Sequence, residues 1–282
     1  MLETVAPHVP RLHYDPSGSG LPLGLLVERA GANAVTRSRD LGHADWSVFG
    51  AQVSRDATGI DGQPNTAMTL ADNSSSIGAN VRQRVTIAAD MSPHVVSAFF
   101  RKTSGASAFP GIRARILGGA SLDAELHVDT DTGAADFDQS IRSGGGDIAV
   151  EDRGAWWRAS FVIRNNGSSG NTTLELMLFG AITASIGARD TGITGAAVLD
   201  GVMVETQSDS VSSLVVTGAA PGLRAADQPA LLADIGQRDV VLTYDDGSAD
   251  TLPGEAVLAG WWPVQRRACL RWIDLHPPGS LG

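Results

Sequence analysis

The chain has 282 residues, of which 43% are hydrophobic, 18% charged and only 5% aromatic. Its formal net charge is −10 at pH 7 and no run of lysine or arginine occurs, which argues against a nucleic-acid partner. The lone Cys269 excludes an intrachain disulfide and CxxC metal chemistry. No apolar stretch approaches the ~20 residues that a membrane span requires, so membrane insertion is not expected.

Residues 1–35 are predicted to form an extended N-terminal arm. Four prolines remove backbone donors and the glycines loosen the chain, a composition that disfavours a helix. The segment 21–27 is apolar and costly to expose. It therefore packs either along its own domain or onto a neighbouring subunit, and an edge strand offers main-chain partners for either arrangement.

Residues 36–215 are predicted to form an antiparallel sandwich of short strands. Segment 94–102, H-V-V-S-A-F-F-R-K, has apolar residues on both faces, which is typical of an inner strand covered on both sides. Further short strands follow at roughly 8- to 12-residue spacing with Gly, Asp and Thr turns, the pattern of an all-β sandwich. Trp46, near the start of this region, is either a core residue or a platform for a ligand.

Residues 216–282 are predicted to form a linker and a small β-subdomain with its own apolar cluster. Segments 238–244 and 249–252 indicate two strands, and the intervening Asp245-Asp246-Gly247 is a turn with glycine where a positive φ is needed. Segment 268–275 alternates as a final strand. The whole chain is therefore predicted to be all-β.

Motifs near the two ends of the chain carry a family resemblance. Residues 11–28 read R-L-H-Y-D-P-S-G-S-G-L-P-L-G-L-L-V-E, and residues 213–227 read S-L-V-V-T-G-A-A-P-G-L-R-A-A-D. With the G-A-W-W-R of 154–158 and the G-V-M-V-E of 201–205, they resemble the opening and closing segments of a jelly-roll, carbohydrate-binding-like domain common in tailed-phage virion proteins. The resemblance covers roughly residues 8–275. The chain departs from the family pattern at Asp200 and Met203, where Trp and Gln are usual.

The resemblance implies a virion structural or attachment protein, such as a tail fibre, a head spike or a gene-transfer-agent spike, that presents its carbohydrate-binding-like domain to the host cell. Its implied partners are other virion proteins, host surface polysaccharide and further copies of itself, as a trimer or pentamer. The first ten residues lack the basic and apolar regions of a secretory signal, so assembly into a particle in the bacterial cytoplasm is expected. A purely structural base or adaptor protein is the alternative, and a polysaccharide-degrading tailspike ranks third.

The family register predicts a candidate carbohydrate-binding surface. Alternation places Val96, Ala98 and Phe100 in the core, so the opposite side chains share one outer face. Two aromatic rings, two guanidinium groups and a carboxylate on that face are typical of a saccharide groove. The five candidates are Phe99, Arg101, Trp156, Arg158 and Glu205. The alternative is that the arm, the C-terminal subdomain or a neighbouring subunit covers this face.

No catalytic residue and no cofactor are predicted, and the chain is not expected to be an enzyme. Neither G-x-S-x-G nor H-E-x-x-H occurs, and the six histidines are scattered. A glycosidase needs two carboxylates across one bond, and no spacing selects a pair among Asp123, Glu125, Asp136, Glu151, Asp152 and Asp200. The sequence leaves open whether the chain binds a structural calcium ion, as jelly-roll relatives often do. The candidate ligands are Asp129, Asp131 and Asp136.

Overall fold

A computed structural model describes residues 12–14, 22–138, 140–227, 229–230, 233–244, 247–267 and 269–281. This part of the chain consists of strands, turns and loops, and it contains no helix that could cross a membrane. In chain order the strands are β1 (Leu12–Tyr14), β2 (Pro22–Leu26), β3 (Gly31–Asn33), β4 (Ser47–Phe49), β5 (Ala51–Ala57), β6 (Ala67–Asp72), β7 (Asn80–Thr86), β8 (Pro93–Arg101), β9 (Gly111–Leu117), β10 (Leu122–Val128), β11 (Ala135–Phe137), β12 (Gly145–Asp152), β13 (Trp156–Arg164), β14 (Thr173–Phe179), β15 (Gly195–Thr206), β16 (Gly222–Arg224), β17 (Gly236–Tyr244), β18 (Ala249–Val257) and β19 (Cys269–His276).

The chain divides into two compact units. The first contains Ala32–Leu223, and the second combines Thr4–Gly31 with Arg224–Gly282. Residues 1–11 and 15–21 of the predicted arm lie outside the described residues. The strand β2, which carries most of the apolar segment 21–27, joins the C-terminal residues by pairing with β19 within the second unit.

Two six-stranded antiparallel sheets form the first unit. The front sheet has the order β11-β10-β9-β14-β7-β4, and the back sheet has the order β12-β13-β8-β15-β6-β5. Consecutive strands cross between the sheets, as β7, β8 and β9 do, and β13, β14 and β15 do again. The all-β, antiparallel jelly-roll sandwich predicted from the sequence is therefore confirmed.

The core lies between the inner faces of these sheets. Val96, Ala98 and Phe100 of β8 are buried against front-sheet residues such as Ile112 and Leu176, as period-two alternation predicts. Each large apolar side chain buried in this way contributes roughly 1.5–3 kcal/mol. Trp46 is also in the core, where its indole Nε1 donates to a backbone carbonyl, so the core interpretation of Trp46 is correct.

The second unit is a five-stranded sheet in the order β1-β2-β19-β17-β18. Its apolar cluster is built around Val240, Leu242 and Tyr244, and Trp261 and Trp262 pack against it. Of the predicted turn, Asp245 and Asp246 lie outside the described residues, whereas Gly247 has the expected positive φ of 80°.

Candidate functional site

The five sequence-predicted carbohydrate contacts lie on strands of the back sheet. Trp156 pairs with Arg101 across β13 and β8, and Arg158 pairs with Phe99 in the same ladder. The guanidinium carbon of Arg158 lies 5.3 Å from the centre of the Phe99 ring. Glu205 comes from the neighbouring strand β15. Alternation therefore brings the predicted residues into one neighbourhood.

This neighbourhood is largely covered by the chain itself. Phe99 and Trp156 are only 7% and 6% exposed, because they pack in a second apolar cluster with Ile60 and Leu214. Arg158 and Glu205 are buried as well, whereas Arg101 at the end of β8 is exposed. The covering residues that the structure describes, Ile60 and Leu214, lie within the first unit. A sugar-binding role for these five residues stays a prediction, and it requires the covering segments to move.

An ion-pair network holds one of these covering segments in place. Arg39 donates from Nε and Nη2 to the two carboxylate oxygens of Asp200, each at 2.7 Å, and from Nη1 to Asp61 at 2.6 Å. Asp200 also accepts from the backbone N–H of Ile60 at 2.9 Å. The hydrogen bond from Arg39 holds the pKa of Asp61 well below its ordinary value. Asp200 therefore has a structural role, because its carboxylate accepts from both Arg39 and the backbone of Ile60.

The outer face of the front sheet has a second candidate binding surface, separate from the five predicted residues of the back sheet. Its side chains form rows across four strands, and in the first row Arg84, Glu175, Arg115 and Asp123 are directly opposite one another in register. Opposite charges on neighbouring strands stabilise such a ladder. We call this surface the arginine–carboxylate face; its residues are Arg82, Arg84, Arg113, Arg115, Asp123, Glu125 and Glu175.

The inner part of the arginine–carboxylate face is fully paired. Arg113 Nε donates to Asp123 Oδ1 at 2.8 Å, and this bond raises the pKa of Arg113. Arg115 Nε lies 3.3 Å from Asp123 and its Nη1 3.5 Å from Glu175. Each guanidinium here is held between carboxylates, so its position is fixed before any ligand arrives.

The β7 corner of the face is different, because its guanidinium groups keep free donors. Arg84 donates from Nε to Glu175 at 2.7 Å, but its side chain is 65% exposed and its terminal nitrogens donate to no described residue. Arg82 has no ion pair within the described chain; its guanidinium carbon lies 5.7 Å from the centre of the Phe49 ring. Phe49, on the edge strand β4, is 46% exposed. We call Phe49, Arg82 and Arg84 the open corner.

At the opposite end of the face, the ligand atoms of Glu125, His127 and Asp138 lie within 4.8 Å of one another, close enough to surround a metal ion. Both oxygens of Glu125 are already engaged, one with His127 Nε2 at 3.0 Å and the other with Arg189 Nη1 at 2.5 Å. A cation would have to displace Arg189. Burial by itself raises the pKa of Asp138, but hydrogen bonds from Ser140 bring it below its ordinary value.

The carboxylates considered for hydrolysis are mostly bound to cations. Glu125 bonds Arg189, Glu151 bonds Arg153 and Asp152 bonds Lys102, in addition to the pairs of Asp123 and Asp200 described above. Of the candidate calcium ligands, Asp129 accepts from the backbone N–H of Asp131, Asp131 from that of Gly105, and Asp136 from that of Phe137. The prediction that the chain is not an enzyme stays untested, and so does the question of a structural calcium ion.

The sequence did contain a signal for the arginine–carboxylate face. Strands β7 and β9 both contain an Arg-x-Arg pair, and β10 contains Asp-x-Glu-x-His, each at the period-two spacing that puts side chains on one face. What the sequence lacks is the register that sets these three strands beside one another.

No protein-family model and no curated protein matches the chain. Among solved structures, the enzymatically active domain of tailspike protein 4 of bacteriophage CBA120 is similar over 61% of this chain and 21% of that one, with 12% identity and a TM-score of 0.36. An exo-β-agarase is similar over 65% of this chain and 26% of that one, with 13% identity and a TM-score of 0.37. The chain thus spans about a fifth to a quarter of those two proteins. A carbohydrate-binding module studied for specific mannan recognition is similar over its whole length and 64% of this chain, with 12% identity and a TM-score of 0.32.

Proposed function

We propose that this chain is an attachment protein of a phage or phage-like particle, and that the arginine–carboxylate face binds polysaccharide on the host surface. The observation that carries the proposal is the open corner, where an exposed aromatic ring stands beside two guanidinium groups with free donors. Aromatic rings stack on the C–H faces of sugars, and guanidinium groups donate to their oxygens. The family resemblance of the end motifs supports the particle setting.

The arginine–carboxylate face is suited to weak contacts with a repeating polysaccharide rather than to enclosing a single sugar in a deep pocket. Its side chains project from adjacent strands of a rigid sheet, and the paired arginines lose little freedom when a ligand arrives. Single contacts of this kind become useful when several copies act together. The proposal therefore includes a trimer or pentamer, assembled with other virion proteins in the bacterial cytoplasm. Light scattering after size exclusion checks it: a mass near three or five times 29.2 kDa supports the oligomer, and a single-chain mass contradicts it.

Binding to immobilised capsule and lipopolysaccharide preparations from a panel of bacterial strains tests the function. We expect the full chain to bind at least one preparation, and Phe49→Ala to weaken that binding, since it removes the exposed ring. Arg101→Ala is the matched control, because Arg101 is an exposed arginine on the back sheet. Loss of binding in Arg101→Ala alone would favour the sequence-predicted surface. If both variants bind as well as the unchanged chain, neither surface is the binding site.

A structural base or adaptor protein is the second candidate. It is favoured by exposed apolar side chains in the second unit, where Trp272 is 58% and Val264 88% exposed. Exposed apolar side chains mark a contact surface between chains where they form a contiguous patch. A well-folded oligomer that binds no preparation in the panel would support this candidate.

A further inference from the structure

We infer that the saccharide bound at the open corner is acidic and carries carboxylate groups. The inference rests on the proposed function, because it names the class of sugar that the same surface takes. Three features of the described structure support it: the charge state of the corner, the geometry of its donors, and the contrast with the rest of the arginine–carboxylate face.

Charge is the first feature. The chain as a whole is acidic, with 31 Asp and Glu against 21 Lys and Arg. Three of the four arginines on the face, Arg84, Arg113 and Arg115, pair with carboxylates. Among the described residues Arg82 has no carboxylate partner, and Arg84 has one, Glu175, which it shares with Arg115. The open corner is therefore a local site of positive charge. Because ionic strength of about 0.15 M screens charges beyond about 8 Å, this local charge governs a bound ligand more than the net charge of the chain.

Donor geometry is the second feature. The bond to Glu175 uses Nε of Arg84, so both terminal nitrogens remain available on the exposed side. Glu175 also orients this guanidinium. Two donors in one plane match the two oxygens of a carboxylate, whereas a sugar hydroxyl uses only one of them. Arg82 lies two residues away on the same face of β7, about 7 Å along the strand, within reach of the same sugar ring or the next one.

The paired arginines provide the contrast. Arg113 already holds a carboxylate in the two-pronged arrangement, that of Asp123. Within the described chain Arg82 has the same donor set without a carboxylate, and Arg84 keeps its two terminal nitrogens beside the bond to Glu175. A polymer of acidic sugars would supply carboxylates repeatedly, while the Phe49 ring holds the uncharged face of a sugar.

Binding of the full chain to polygalacturonate tests the inference, with the same polymer after methyl esterification as the neutral comparison. We expect esterification to weaken binding at least tenfold, and Arg82→Ala to weaken binding to the charged polymer about tenfold while leaving the ester unaffected. Arg82 is the variant of choice because its removal leaves no carboxylate unpaired. Arg84→Lys, which keeps the charge but not the planar pair of donors, is expected to show an intermediate loss.

Equal binding to polymer and ester, or an unchanged affinity in Arg82→Ala, would overturn the inference. Preparations from the bacterial panel separate this failure from failure of the proposed function. Binding to a neutral polysaccharide that Phe49→Ala weakens would leave the proposed function standing without the acidic sugar. If the chain binds no polysaccharide at all, both the proposed function and the acidic-sugar inference are wrong.

Discussion

Replacing Asp200 by alanine tests the network that fixes a covering segment on the back sheet. The side chain of Asp200 is fully buried and accepts from Arg39 twice and from Ile60 N–H once. Breaking a buried ion pair costs about 3–5 kcal/mol, and a buried N–H left without a partner costs about 1–3 kcal/mol. Arg39 is 15% exposed and keeps Asp61, which places the expected loss near the lower bound, about 3 kcal/mol.

Urea and thermal unfolding followed by circular dichroism measure this loss. A domain of this size loses about 2–4 °C of Tm per kcal/mol, so Asp200→Ala is expected to lower Tm by about 6–12 °C with an unchanged urea slope. Asp61→Ala is the matched control. Its carboxylate is 20% exposed, and we expect a loss nearer 1 kcal/mol.

A double-mutant cycle separates the network from unrelated effects of the substitution. The Arg39→Ala/Asp200→Ala double variant is expected to lose less stability than the two single variants together, because each single variant leaves its partner's charge buried. Additive losses would refute a coupled pair. So would an Asp200→Ala loss no larger than that of Asp61→Ala.

Three further predictions concern the core, the second unit and pH. Phe100→Ala should cost about 3–5 kcal/mol in urea unfolding, because the ring is fully buried, while Phe49→Ala should change stability little. Tyr244→Phe should destabilise the second unit by about 1–3 kcal/mol in the same assay, since its hydroxyl donates at 2.7 Å to the buried Asp250. The pKa of Asp61 is lowered in the folded state, so its contribution to stability is complete above the unfolded value of about 3.9 and lost as pH falls below it. Tm should therefore fall between pH 4 and pH 2 less steeply in Asp61→Asn, and equal slopes would contradict this assignment.

The sequence by itself determined the fold class and which residues are core. Segment 94–102 has Val96, Ala98 and Phe100 at period-two spacing, and the structure has strand β8 there with these three residues in the core. Period-two alternation is local, because it follows from the pleat of one strand, and a single sequence therefore contains it. The same rule correctly placed Phe99, Arg101, Trp156 and Arg158 opposite the core.

Only the tertiary structure decided which outer face is open. Alternation separates inner from outer side chains, but coverage of the outer face depends on where distant segments return, and residues 60 and 214 are far in sequence from Trp156. The arginine–carboxylate face depends on register as well. Arg84, Glu175 and Asp123 are spread over almost a hundred residues, and they meet because β7, β14, β9 and β10 are neighbours in one sheet. Strand order arises from packing of the whole chain, so no single strand pattern encodes it.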